Sequence, residues 1–298
     1  MDKIKIGYFA DGPWSHRAFE KLIEDSSIEI LFIVPRSDTK DNTLKNLSLE
    51  YNIDYLYPVN INSMEFIELV KSYKADLFVS MSFNQIFKSE ILGIPEYGVI
   101  NCHAGRLPFY RGRNILNWAL INDEKNFGIT VHYIDEGIDT GDIINQKVYP
   151  ITDDDDYDSL LKVAYVECAS ILFETILQIR NGIAIRMPQS IIHPVGFYCG
   201  RRGLGDEIIN WNQSTREIFN FIRAICNPGP KATSYLNNSI ITINKSKIID
   251  MAPIYKGTCG QILAKTDKGF LVKTSDSFIE ILEIDSEIRL KIGDILGK

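Results

Sequence analysis

Asn101, Cys102 and His103 close the apolar run Gly98–Cys102 and set an amide and an imidazole two residues apart. On an extended backbone, positions i and i+2 point the same way, so Asn101 and His103 face one site. Strand C-termini are where open α/β sheets take their ligands. Further on, Asp139 lies in the Gly-punctuated loop Asp135-Glu136-Gly137-Ile138-Asp139-Thr140-Gly141-Asp142. An amide, a titratable imidazole and a carboxylate converging on a crevice suit acyl transfer, in which one polarises, one abstracts a proton and one orients. Taken alone, Asn-x-His reads more often as turn chemistry or a satisfied histidine, and loop acids as turn residues. The four histidines (16, 103, 132 and 193) lack ligand spacing, so no metal is expected. His132 alternates with Val131 and Tyr133 and reads as a structural strand residue. There is no GxGxxG, so no dinucleotide is implied.

The elements that must position these residues alternate apolar runs with helical patterns, as in a doubly wound, mostly parallel sheet. Ile4–Ala10, Ile28–Val34, Leu77–Met81, Gly98–Cys102, Gly128–Ile134 and Asp142–Tyr149 read as strands. A helix is expected from about Ser15 to Asp25, with Ser15 as its N-cap after the turn Asp11-Gly12-Pro13, and another behind Ser63, with Phe66, Ile67, Val70 and Tyr73 on one face. The cluster Thr152–Asp156 (TDDDD) precedes a long apolar-periodic helix, Tyr157 to about Arg180, where first-turn acids complement the dipole. Residues 1–185 are therefore expected as an α/β catalytic domain, and the Pro- and Gly-rich stretch 186–205 as a linker. Residues 206–298 form a helix capped by Ser214, with Glu217 at the capping-box position, and then a small β-rich, barrel-like domain. An apolar face of that domain calls for cover, from the N-terminal unit or from a second subunit in a homodimer.

Composition narrows the class. At 298 residues a sizeable core is available without staples. Five scattered cysteines, with no CxxC pair, fit a reduced, cytoplasmic protein. The start MDKIKIGYFADG is too polar for a signal peptide, and no run approaches a membrane span. The formal charge of −7 argues against a nucleic-acid partner.

The ordered set Asn101-x-His103, Leu107-Pro108, Tyr110-Arg111-Gly112, Gly128-Ile-Thr-Val-His132 and Asp135-x-Gly-x-Asp139-Thr-Gly-Asp142 resembles the folate-dependent formyltransferase family. The resemblance implies an enzyme with 10-formyl-tetrahydrofolate as co-substrate and Asn101, His103 and Asp139 as catalytic residues. Asn101 would donate to the developing oxyanion, His103 would take the amine proton, and Asp139 would orient His103 or act through a held water; which of the last two takes the proton first stays open. It also implies a pterin pocket between the loop after Leu77–Met81, with Phe83, Ile86 and Phe87, and the loop bearing Asp135 and Gly137. Gly12 and Trp14 begin the segment from which the acceptor approaches.

Three acceptor classes compete. A purine-pathway acceptor leaves the C-terminal unit unexplained. A methionyl-tRNA acceptor needs basic surface, yet residues 201–298 carry 14 Lys and Arg against 11 Asp and Glu (+3), leaving 18 against 28 (−10) for residues 1–200. The stretch Tyr110-Arg111-Gly112-Arg113-x-x-Leu116-Asn117-Trp118 resembles sugar N-formyltransferases of the UDP-4-amino-arabinose type. That implies a UDP- or dTDP-linked amino sugar, with Arg111, Arg113 and Asn117 on the acceptor side, since guanidinium forks suit phosphate oxygens. Alternatives are the tRNA enzyme and a catalytically silent folate- or nucleotide-binding module.

Overall fold

The computed structural model describes residues 3–297. In chain order the elements are β1 (Ile4–Ala10), α1 (Pro13–Ile23), β2 (Ile28–Val34), α2 (Thr43–Glu50), β3 (Asp54–Tyr55), α3 (Met64–Ser72), β4 (Leu77–Met81), α4 (Ser89–Leu92), β5 (Val99–His103) and β6 (Arg111–Gly112). There follow α5 (Ile115–Ile121), β7 (Asn126–Tyr133), β8 (Ile143–Pro150), α6 (Tyr157–Arg180), α7 (Gln189–Ile192), β9 (Tyr198–Cys199) and α8 (Thr215–Ile225). The chain ends in β10 (Ala232–Leu236), β11 (Ser239–Ile248), β12 (Ile262–Lys265), β13 (Gly269–Lys273) and β14 (Phe278–Ser286).

Two compact units emerge, and they do not follow chain order. The first comprises residues up to Gly112, Gly128–Tyr149 and Lys162–Tyr198; the second takes Arg113–Phe127, Pro150–Leu161 and Cys199 onward.

The first unit is built on a seven-stranded sheet of order β3-β2-β1-β4-β5-β7-β8. Strands β3 to β5 run parallel, and β7 pairs antiparallel with β5. Strand order reverses between β1 and β4, which puts a crevice beyond their carboxyl ends. The near-continuous apolar runs of β1, β2 and β4 follow from burial on both faces. On one face Phe9, Phe32, Phe66, Phe78 and Phe87 pack with Ile61, Val70 and Ile91. Phe9 meets the Phe32, Phe66 and Phe87 rings edge-on, at 5.8, 6.4 and 5.0 Å. On the other, α6 comes down onto β5, where Cys102 Sγ donates to the Cys168 carbonyl.

Helix α1 starts two residues earlier than its polar residues suggested. Gly12 (φ 70) is the N-cap, and Ser15 lies inside the first turn with its Oγ donating back to the Gly12 carbonyl. Ser63 caps α3 as expected, accepting from the Phe66 N–H. The stretch read from composition as a linker carries ordered contacts: Met187 bridges Ile143 through both backbone groups, and β9 pairs with β6.

The second unit is a five-stranded antiparallel sheet, β10-β11-β14-β13-β12, with α8 packed on β11 and α5 packed on α8. Ser214 and Glu217 close the capping box of α8. The acidic cluster does more than complement a dipole. Arg216 reaches both Asp123 and Asp153, and the buried Arg223 donates to the Thr152 and Asp155 carbonyls. No helix among the described residues is long and apolar enough to cross a membrane.

Candidate active site

Strand β5 ends at the crevice with Asn101 and His103 on one side of the chain, as the two-residue period requires. In the antiparallel β5–β7 register Asn101 lies opposite His132, and His103 opposite Thr130. That pairing brings a second histidine to the site. Asp139 arrives from the loop between β7 and β8 in a left-handed conformation, φ 55, which a residue with a Cβ holds only when its surroundings fix it.

The carboxylate is the centre of the cluster. Its Oδ2 lies 3.7 Å from His103 Nδ1 and accepts the Gly112 N–H at 2.8 Å; its Oδ1 lies 3.5 Å from His132 Nε2. Its side chain is only 13% exposed. Burial pushes the Asp139 carboxyl up, but the charge of His103 and the hydrogen bond and charge of His132, with the Gly112 N–H, outweigh it. The carboxyl is held well below the usual carboxylate range.

Neighbouring carbonyls engage one nitrogen of each ring. His103 Nε2 is 2.7 Å from the Tyr110 carbonyl, which only accepts, so Nε2 carries a hydrogen and Nδ1 is the nitrogen that faces Asp139. His132 Nδ1 donates to the Tyr133 carbonyl at 2.8 Å, which turns Nε2 toward Asn101 Nδ2 at 3.3 Å and Asp139 Oδ1 at 3.5 Å. Gly105 makes this packing possible: a Cβ there would lie 2.3 Å from His103 Nε2 and 2.5 Å from the Tyr110 carbonyl. Thr130 and Gln146 hold the turn behind it through the Gly105 and Leu107 carbonyls.

The other expected site residues scatter in environment. Phe87 is buried in the aromatic core, Phe83 packs partly buried against it, and Ile86 is 62% exposed. Asp135 closes its own loop, accepting from the Gly137 N–H and the Thr140 hydroxyl; a Cβ on Gly137 would collide with that hydroxyl. Trp14 is half-buried edge-on against Tyr165. Arg111 turns inward, donating through Nε and Nη2 to Gln189 Oε1 and lying over the Tyr198 ring. Arg113 is exposed and belongs to the second unit. Asn117 does not present its amide to solvent. It is 4% exposed and donates to the Ala224 carbonyl at 2.7 Å, so α5 spends it on packing against α8. Sequence reasoning missed His132, Gly105 and Gln189 as parts of the site. The Asn101-to-His132 register was the signal for the first, but it exists only once β5 and β7 are paired. Among the described residues no group of three His, Cys, Asp or Glu side chains is arranged to hold a metal ion.

A mostly parallel sheet with a strand-order reversal and an amide–imidazole–carboxylate cluster at its carboxyl end suits acyl or one-carbon transfer. Residues 9–176 match the formyl transferase family and residues 204–296 its C-terminal domain. The chain belongs to that family and is a formyltransferase. It is similar to the methionyl-tRNA formyltransferases of Fusobacterium nucleatum (35% identical over 300 residues, 98% of this chain and 95% of the relative) and Clostridioides difficile (34% over 311 residues, 98% and 96%). In fold it is similar to WlaRD, a sugar 3N-formyl transferase solved with dTDP and 5-N-formyl-THF (TM-score 0.71, 24% identity, 97% of this chain and 100% of that one). It is also similar to an N-formyltransferase from Helicobacter canadensis in complex with folinic acid and dTDP-3-aminofucose (TM-score 0.70, 21% identity, 96% and 100%).

Proposed function

We propose that this formyltransferase moves the formyl group of 10-formyl-tetrahydrofolate to the primary amine of a nucleotide-linked amino sugar, with Asn101, His103 and Asp139 as its catalytic residues. The observation that carries the reading is the Asp139-centred cluster, in which a held carboxylate faces Nδ1 of a histidine whose other nitrogen meets the Tyr110 carbonyl. The folate supplies a formyl group on an anilinic nitrogen. The acceptor amine attacks the formyl carbon, the bond from that carbon to the anilinic nitrogen breaks, and this nitrogen leaves as tetrahydrofolate with the proton taken from the amine. His103 Nδ1 takes the proton of the attacking amine, and Asp139, kept ionised, stabilises the imidazolium so formed. Asn101 Nδ2 lies 3.3 Å from His132 Nε2 and has a hydrogen for the oxygen that gains negative charge. Losing such a donor typically costs ~10²–10³ in rate.

The loop after β4 fits a pterin. Asn84 Oδ1 and Gln85 Nε2 are buried there without a hydrogen-bond partner among the described residues, one acceptor and one donor beside Phe83 and Ile86. A heterocycle edge satisfies both atoms, which otherwise carry a desolvation cost.

Charge supports a small acceptor. Residues 1–200 carry a net −10, from 18 Lys and Arg against 28 Asp and Glu. In the second unit Lys247 lies opposite Glu280 across the β11–β14 ladder, and Arg216 is engaged by Asp123 and Asp153. The chain's likeness in fold to enzymes that formylate nucleotide-linked amino sugars supports the same acceptor. The names of the sequence relatives favour a second reading, methionyl-tRNA. The deciding experiment offers 10-formyl-tetrahydrofolate with dTDP- and UDP-linked amino sugars and, separately, methionyl-tRNA, at several salt concentrations. Formylation of a nucleotide sugar with weak salt dependence supports the proposal. Transfer to the tRNA alone, with the steep salt slope of multiple phosphate contacts, overturns it.

A further inference from the structure

Gln189 is buried and takes no direct part in the chemistry above, yet every hydrogen-bonding position of its amide is used at the site. Met187, two residues earlier, bridges Ile143 at 2.8 and 2.9 Å, which docks the start of α7 on the end of the Asp139 loop. From there Gln189 Nε2 donates to the Asp139 carbonyl and to the Gly141 carbonyl, both at 2.8 Å. Its Oε1 accepts from Arg111 Nε at 3.1 Å and Nη2 at 2.6 Å. A guanidinium only donates, so Arg111 fixes which end of the amide faces the loop.

The loop needs such a clamp. Asp139 is left-handed, and conformations of that kind persist only where neighbours over-determine them. Gly141 lies so close to β7 that a Cβ would fall 1.9 Å from the Tyr133 carbonyl. The side-chain end of Asp139 is gripped from the same direction, because Gly112, which donates to its Oδ2, follows Arg111 in β6.

We infer that Gln189 is a positioning residue for formyl transfer: oriented by Arg111, its amide locks the Asp139 backbone so that the carboxylate stays beside His103 Nδ1. The inference rests on the reading of Asp139 as catalytic, and the test separates the two.

Gln189→Met keeps volume without hydrogen bonds, whereas Gln189→Glu keeps an acceptor for Arg111 but lacks the donors to the loop. Each is compared with wild type and Asp139→Asn using 10-formyl-tetrahydrofolate with a dTDP-linked 3-amino sugar and with methionyl-tRNA as acceptors. Deuterium uptake by peptides covering residues 135–142 is followed in parallel. Both Gln189 variants are expected to lose about 10- to 100-fold in kcat, the scale of an ångström-level misplacement, with KM for both substrates within about threefold of wild type. Uptake should rise in 135–142 and nowhere else. In the Asp139→Asn background, Gln189→Met should cost less than about twofold more, because residues acting through one group are not additive. Unchanged uptake in 135–142, unchanged kcat in Gln189→Glu, or full additivity with Asp139→Asn overturns the positioning role. If Asp139→Asn itself keeps its kcat, the catalytic reading fails, and the uptake still reports whether Gln189 holds the loop. Should Gln189→Met fail to fold, Gln189→Glu carries the same comparison.

Discussion

Two carboxylate clusters in this protein use the same attraction for different ends. In the first unit Asp139 is held low by the imidazoles of His103 and His132 and by the Gly112 N–H. In the second, Asp123 and Asp153 face Arg216, and Asp123 also lies 3.7 Å from Arg223, guanidiniums whose charge does not change. A carboxylate beside a permanent cation can only hold chain together. In the proposed transfer, a carboxylate beside an imidazole stabilises the charge that appears when the ring takes up a proton. The difference lies in the partner, not in the acid.

The comparison is broken most severely at the imidazole. His103→Asn is expected to lose ~10²–10⁴ in kcat, the range of general acid–base catalysis, while the unfolding temperature and 5-formyl-tetrahydrofolate binding stay near wild type. Gly105→Ala should cost about 10²-fold in kcat by displacing the His103 ring, since small misplacements reach that size; a crystal structure of the variant would show whether the ring has moved. In the second unit the expected loss is stability. Arg223→Met strands the Thr152 and Asp155 carbonyls and should cost about 2–4 kcal/mol in denaturant titrations, with the kcat of the folded fraction unchanged.

Acidification sharpens the contrast. Burial raises the Asp123 carboxyl, but hydrogen bonds from Arg216, Lys125 and Asn220 and the Arg216 charge outweigh it and bring it to about 2. Because the folded value lies below the unfolded one, its stabilisation is complete above the ordinary carboxylate range. It is lost as pH falls from about 4 toward about 2. Asp123→Asn should therefore flatten that part of the stability profile. The smallest effect belongs to the helix cap: Ser214→Ala should destabilise by about 1 kcal/mol, read as a lower midpoint with kcat unaltered.

Local pattern carried much of this into the sequence. The apolar runs of β1, β2 and β4 coincide with the strands because burial on both faces demands unbroken hydrophobicity. Ser63 and Ser214 mark their helices because capping is a contact across three residues. Asn101 and His103 share a face for the equally local reason of strand pleat. What escaped was long-range. His132 joins the site through its register with Asn101, and Gln189 reaches Asp139 from a segment whose Pro and Gly content reads as a connector. The acids at 153–155 read as first-turn residues of α6, although their partners Arg216 and Arg223 lie more than sixty positions away. Asn117 has the chemistry of a ligand contact, and only the packing of α5 on α8 explains why it is buried.

The central claim is that the ionised Asp139 beside His103 Nδ1 drives transfer to a nucleotide-linked amine. Single-turnover transfer from 10-formyl-tetrahydrofolate to dTDP- or UDP-linked amino sugars, in wild type and Asp139→Asn with 5-formyl-tetrahydrofolate affinity measured beside it, tests that claim most directly. The expected result is formamide product with the wild type and a rate at least ~10²-fold lower in the variant, at equal folate affinity. Equal rates in the two proteins, or no sugar product from an enzyme that formylates methionyl-tRNA, would contradict it.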